Sequence, residues 1–107
     1  MSKLIVNADD FGLHSAVNAA VIDGHRTGII TSTSLLAGGE AFSEAISMAK
    51  NNPKLGIGVH IALVGGLKPV CNPAEVPSLL TSEGVFQETY INFMKRINAG
   101  RINYREL

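Results

Sequence analysis

The sequence predicts an α/β fold built from parallel strand–helix repeats, and three observations carry that expectation. A short β-branched apolar run near the N-terminus leads into a segment of helical period. The same pair of patterns then recurs, separated by glycines. A third apolar run follows, again bounded by Pro and Gly. Strand, helix, strand, helix and strand in succession are the signature of a parallel sheet with crossover helices.

Each element follows from local chemistry. Lys3–Ala8 is short, continuous and β-branched without alternation, which predicts a strand buried on both faces. Residues 14–27 place Leu13, Val17, Ala20, Val21 and Gly24 on one helical face, and Gly28 provides a stop. Ile29–Leu36, rich in Ile, Thr and Ser, suits a second strand. After Gly38 and Gly39, Phe42, Ala45, Ile46 and Ala49 keep helical spacing until Asn51-Asn52-Pro53 ends the run. Leu55–Leu63 reads as a third strand whose glycines admit a close neighbouring backbone. Residues 64–88, with Gly65-Gly66, Pro69, Pro73 and Pro77, predict a long functional or mobile loop. A helix near 89–99 then presents Tyr90, Phe93, Met94 and Ile97, and Asn103 is a candidate cap for a last helical turn. Three strands leave two bare sheet edges, so either a homo-oligomer or a longer polypeptide is expected to cover them.

The 107 residues suffice for one domain with a core. Nine basic residues balance nine acidic ones, which gives no electrostatic reason to expect nucleic acid or a membrane surface as partner. No apolar stretch approaches the roughly 20 residues of a membrane helix, and the N-terminus has no signal-peptide pattern. Cys71 is the single cysteine, so no internal disulfide can form and a cytoplasmic setting is expected. A buried structural thiol is the expected role for it, ahead of a nucleophile.

Chemistry in parallel α/β folds gathers at the carboxyl ends of strands. Asp9 and Asp10 are expected just past the first strand, and His60 at the corresponding end of the third. Adjacent carboxylates in a partly dry cleft repel, and a divalent cation removes that penalty. Oxygen and imidazole donors suit zinc, manganese or magnesium, and a carboxylate outside the metal shell can serve as a base toward water. A turn or helix-cap role for the aspartates, and a structural role for His60, compete with this reading. His14 is expected at an exposed helix start and His25 as a dipole contact at the helix end. The "DFG" at residues 10–12 is not a kinase motif, because nine preceding residues leave no room for the parts a kinase site requires. Neither Gly38-Gly39 nor Gly56-x-Gly58 has a phosphate-loop pattern.

Four segments together, "IVNADDFG" at 5–12, "HSAVNAAVIDGHRTGIITSTSLL" at 14–36, "LGIGVHIALVGG" at 55–66 and "VPSLLTSEGVF" at 76–86, resemble the YdjC-like carbohydrate deacetylases. The resemblance implies a distorted (β/α) barrel, of which residues 1–107 would be the N-terminal part of a single domain. It also implies removal of acetyl groups from N-acetylated sugars such as chitooligosaccharides, with a divalent metal, often magnesium. Carried over by motif, Asp10 and His60 become metal ligands and Asp9 the catalytic base. A third metal-binding His is implied in a segment following Leu107, so the chain is expected to be truncated. A non-catalytic, self-associating α/β fragment and a metal-assisted phosphoesterase are the alternatives.

Overall fold

The computed structural model describes residues 2–107. Three strands, β1 (Asn7–Phe11), β2 (Ser32–Leu36) and β3 (Gly56–His60), form one sheet in the order β1-β2-β3, and both pairings are parallel. Helices α1 (Ser15–Arg26) and α2 (Phe42–Lys50) connect them, and α3 (Tyr90–Asn98) lies later in the chain. The chain divides into two compact units, one running to Ile61 and the other spanning Ala62–Leu107.

In the first unit, Ala8 and Leu35 pack with Phe11, Val21, Ile22, Ala45 and Leu55, so one sheet face meets α1 and α2. Phe11 is fully buried, which contributes about 2–3 kcal/mol by the area it removes from water. The opposite face is polar, carrying Asn7, Asp9, Ser32 and Ser34 in a hydrogen-bonded row.

The first strand lies further along the chain than the apolar run suggests. Leu4 and Ile5 are 79% and 76% exposed and lie outside the sheet, while Asp9 and Asp10 lie within β1. Ladder pairing, not β-branching, decides the boundary: β2 begins at Ser32, opposite Asn7, and Val6 bonds outside the ladder, its carbonyl accepting from the Thr31 and Ser32 amides and its N–H donating to the Thr31 hydroxyl. The other two strands are likewise shorter than their apolar runs. Ile30 N bonds back to the Gly24 carbonyl and closes α1, so it cannot enter β2. Burial on both faces does not hold for the first strand, because Asn7 and Asp9 of β1 are exposed.

The buried stripe of α1 is Asn18, Val21 and Ile22, and Ala20 is exposed, so the helix is rotated from the face the apolar residues predict. The polar side chain of Asn18 causes this by bonding into the core. Helix α2 runs from Phe42 to Lys50 with Ala45 fully buried, as its spacing predicts.

In the second unit, residues 64–88 form an organised connection. Val64 pairs with Gln87 and Leu80 with Phe86, two short 3-10 turns span Pro73–Glu75 and Pro77–Leu79, and Leu79 and Leu80 are buried. Thr89 caps α3 by accepting from the Asn92 amide, and Asn103 caps the final 3-10 turn, Tyr104–Glu106. Glu106 accepts from the Ser78 amide at 2.8 Å and the Asn103 side-chain amide at 3.0 Å. Partial burial pushes its carboxyl up, but these bonds from Ser78 and Asn103 outweigh that and hold it below the usual carboxylate range. Cys71 is exposed, not buried. Among the described residues no helix is long and apolar enough to cross a membrane.

Candidate active site

Asp9 and Asp10 occupy a β-bulge. Ala8 pairs with Thr33 and Phe11 with Leu35, so three steps along β1 match two along β2. The extra residue is Asp10, whose φ of 66° is left-handed, a conformation Asp tolerates better than most non-glycine residues. The bulge turns Phe11 onto the helix-covered face, where it anchors the core.

Asp9 keeps the regular alternation of the strand and joins the polar face. Its Oδ1 accepts from the Asn7 side-chain amide at 3.0 Å and from the Ser34 hydroxyl. Asn7 Nδ2 also donates to Ser34 Oγ at 3.0 Å, and Ser32 Oγ donates to Asn7 Oδ1 at 2.8 Å. The Asn7 amide is thereby fixed with its nitrogen toward Asp9.

Asp10 faces the end of the third strand. Its Oδ1 lies 3.3 Å from Nδ1 of His60, the last residue of β3. The His60 side chain is 29% exposed, yet its Nδ1 atom is buried and has no hydrogen-bond partner. The contact therefore sets a buried lone nitrogen beside a carboxylate without a satisfied hydrogen bond. Among the described residues, no group of three or more His, Cys, Asp or Glu converges as a metal-binding cluster.

The loop leaving the bulge is clamped from α1. Gly12, at φ 103°, donates its N–H to Asn18 Oδ1 at 2.7 Å. Asn18 Nδ2 donates to the Ala41 carbonyl at 3.1 Å and to Glu44 Oε2 at 2.7 Å. Asn18 is fully buried, so it ties the end of β1 to the start of α2. Gly39 closes the same corner: a β-carbon there would lie 2.1 Å from the Gly12 carbonyl oxygen. Sequence reasoning missed Asn7, Asn18 and Ser34. A polar residue inside an otherwise apolar helical stripe, such as Asn18 beside Val17, Val21 and Ile22, was the one available signal.

The other histidines have local roles. His14 caps α1, its Nδ1 accepting from the Ala16 amide at 3.1 Å while Nε2 lies 3.6 Å from exposed Glu40. His25 sits in the last turn of α1 with Nδ1 2.8 Å from the Ile30 carbonyl, so that nitrogen donates.

The profile of YdjC-like proteins matches residues 3–107. A carbohydrate deacetylase of Brevibacillus brevis is 46% identical over 85 residues, covering 79% of this chain and 33% of that protein. A chitooligosaccharide deacetylase of Salmonella paratyphi B is 44% identical over 82 residues, covering 77% of this chain and 31% of that protein. A crystal structure described as that of a candidate cellobiose-phosphate cleavage protein from Enterococcus faecalis superposes with a TM-score of 0.83 at 38% identity. That match covers 95% of this chain and 38% of the other, in keeping with three parallel strands of a partial barrel. The chain thus spans about a third of the length of the curated relatives it matches. With the bulged "NADDFG" strand, the histidine-ended third strand and a profile match from residue 3 to residue 107, the chain belongs to the YdjC-like protein family.

Proposed function

We propose that this chain carries the N-terminal share of a metal-dependent carbohydrate deacetylase site, with Asp10 and His60 as metal ligands and Asp9 as the base. The observation that carries the reading is the buried, partnerless Nδ1 of His60 set 3.3 Å from the Asp10 carboxylate. Two donors about 2.1 Å from one cation lie about 3.0–3.4 Å apart, depending on the angle between them, so the pair fits a shared ion. A carboxylate oxygen with an imidazole nitrogen is a donor set for magnesium, manganese or zinc. The names of the relatives support a sugar amide as substrate, and the Enterococcus protein's description also names a carbohydrate.

A divalent cation, when bound, supplies Lewis-acid polarisation of the acetamide carbonyl and acidifies water. The chain's own residues do the rest of the work on this rim. With Oδ1 filled by Asn7 and Ser34, Asp9 presents Oδ2 to take a proton from the attacking water. Adding that water across the amide and breaking the C–N bond releases acetate and a free amine. The Asn18 clamp and the bulge hold Asp9 and Asp10 in their separate contacts while this happens.

The test is acetate release from N-acetylated chitooligosaccharides by this chain with added divalent cation. Turnover should vanish in Asp10→Asn and His60→Ala, and in Asp9→Asn with cation binding kept within about twofold. Asn at position 10 tolerates the left-handed backbone, so Asp10→Asn isolates the charge from the fold. Turnover that survives Asp10→Asn, or needs no divalent cation, refutes the reading. The exposed Ile57, Val59 and Ile61, at 42%, 82% and 78%, favour a second reading: a non-catalytic piece that covers this apolar surface with another copy. Absent turnover together with a concentration-dependent dimer in size-exclusion chromatography would support that one.

A further inference from the structure

Asp9, Asp10 and His60 would make a chemically ordinary three-ligand set, and two of them are consecutive in sequence. Yet the three do not converge as a metal-binding group. The two carboxylates make different contacts, Asp10 with His60 and Asp9 with Asn7 and Ser34, and a hydrogen-bonded triangle holds Asp9. Asn7 Nδ2 donates to both Asp9 Oδ1 and Ser34 Oγ, and Ser34 Oγ donates to the same Asp9 oxygen. Both in-plane lone pairs of Oδ1 are therefore occupied. Rotating the carboxylate toward Asp10 would break two charge-assisted hydrogen bonds at once. Ser32 adds a further restraint by holding the Asn7 amide from the far side.

We propose that Asn7 and Ser34 are positioning residues that keep Asp9 out of the coordination shell of a cation held by Asp10 and His60, reserving it as a base. The inference rests on the metal-site reading above. Its physical logic is that a carboxylate bound to a cation shares its lone pairs with that cation and is a poorer proton acceptor. A strand that carries two adjacent aspartates needs a device that tells them apart. Here Asp10, on its left-handed backbone, lies against His60, and the side-chain triangle restrains Asp9.

The proposal makes an unusual prediction: removing the hydrogen-bond donors should tighten metal binding. Mn²⁺ titration of this chain, followed by calorimetry and by the electron paramagnetic resonance signal of free Mn²⁺, reads this without any activity. The double variant Asn7→Ala/Ser34→Ala should bind Mn²⁺ about tenfold more tightly than the parent, on the order of changes seen when outer-shell partners are altered. Adding Asp9→Asn to that pair should return affinity to the parent level. Ser34→Thr, which keeps the hydroxyl, should leave affinity unchanged, and Ser34→Ala alone should give a smaller gain.

Circular dichroism and a thermal melt establish that each variant is folded, and the single Ser34→Ala variant serves if the double one is not. Equal or weaker Mn²⁺ binding in the folded donor-less variants overturns the proposal. Should parent binding depend on Asp10 and His60 but not respond to Asn7 and Ser34, this inference alone fails. Should parent binding be insensitive to Asp10→Asn and His60→Ala, or be absent in every variant, the metal-site reading fails and takes this inference with it.

Discussion

Replacing Asn18 by alanine removes three hydrogen bonds from the corner that holds the bulge, but they are not of equal consequence. The Ala41 carbonyl still accepts from the Ala45 amide at 3.0 Å, so it is not orphaned. Glu44 is exposed, and water can replace its lost partner. The Gly12 N–H has no such substitute: it is buried, and its acceptor is Asn18 Oδ1 at 2.7 Å. An unsatisfied buried amide costs about 1–3 kcal/mol, and the small cavity left by the missing carboxamide adds about 1 kcal/mol. The sum is about 3 kcal/mol, a large share of the 5–15 kcal/mol typical of a whole domain. In urea, with a slope of about 1.2 kcal/mol/M for a chain of this size, the midpoint should fall by about 2–3 M at unchanged slope. Asn18→Asp separates the contributions. It keeps the acceptor for Gly12 but brings a carboxylate against Glu44, whose Oε2 lies 2.7 Å from Asn18 Nδ2. Combining it with Glu44→Gln should recover at least about 1 kcal/mol as a coupling energy. A loss below about 1 kcal/mol in Asn18→Ala would refute the clamp. So would an Asn18→Asp variant that Glu44→Gln fails to rescue.

Two further predictions concern the same corner and the second unit. Gly39→Ala places a β-carbon 2.1 Å from the Gly12 oxygen and 2.8 Å from the Leu13 α-carbon, both backbone atoms that cannot step aside cheaply. That variant should lose several kcal/mol or fail to fold, as read by solubility and a urea melt, whereas Gly58→Ala, with its nearest neighbour at 3.9 Å, should fold normally. Glu106 is held below the ordinary carboxylate value of 4.5 in the folded state. Its stabilising contribution is therefore fully present above that value and is lost as pH falls through the lowered folded value. Carboxyl chemical shifts across an acid titration should place the Glu106 midpoint below that of a peptide carboxylate, and Ser78→Ala, which deletes the hydroxyl, should move it upward.

The strand–helix alternation was legible because apolar period and glycine or proline punctuation are local properties. Helix α2 illustrates this, since Phe42, Ala45, Ile46 and Ala49 need only their own spacing to be recognised. Strand limits were less legible because pairing is not local. Leu4-Ile5-Val6 has all the β propensity of a strand, yet the partner that would pair with it begins only at Ser32. His60 does end β3, although the third apolar run continues three residues further, to Leu63. The bulge was not legible, because no glycine marks it and the left-handed residue is one of the aspartates of interest. Asn18 and Ser34 escaped notice because each looks unexceptional until its partner, 23 and 25 residues away in sequence, is brought beside it.

The β-bulge also bears on how this strand can change over evolutionary time. Deleting either aspartate would remove the unpaired residue and leave a regular ladder, with Ala8 still opposite Thr33 and Phe11 still opposite Leu35. Phe11 would keep its place on the helix-covered face, and one of the two carboxylates would be lost. Loss of a single codon can therefore remove the proposed site while sparing the core, as a point substitution can. The length of "NADDFG" is thus a requirement of the paired carboxylates and not of the sheet, and a lineage that abandoned them would be free to shorten it by one residue.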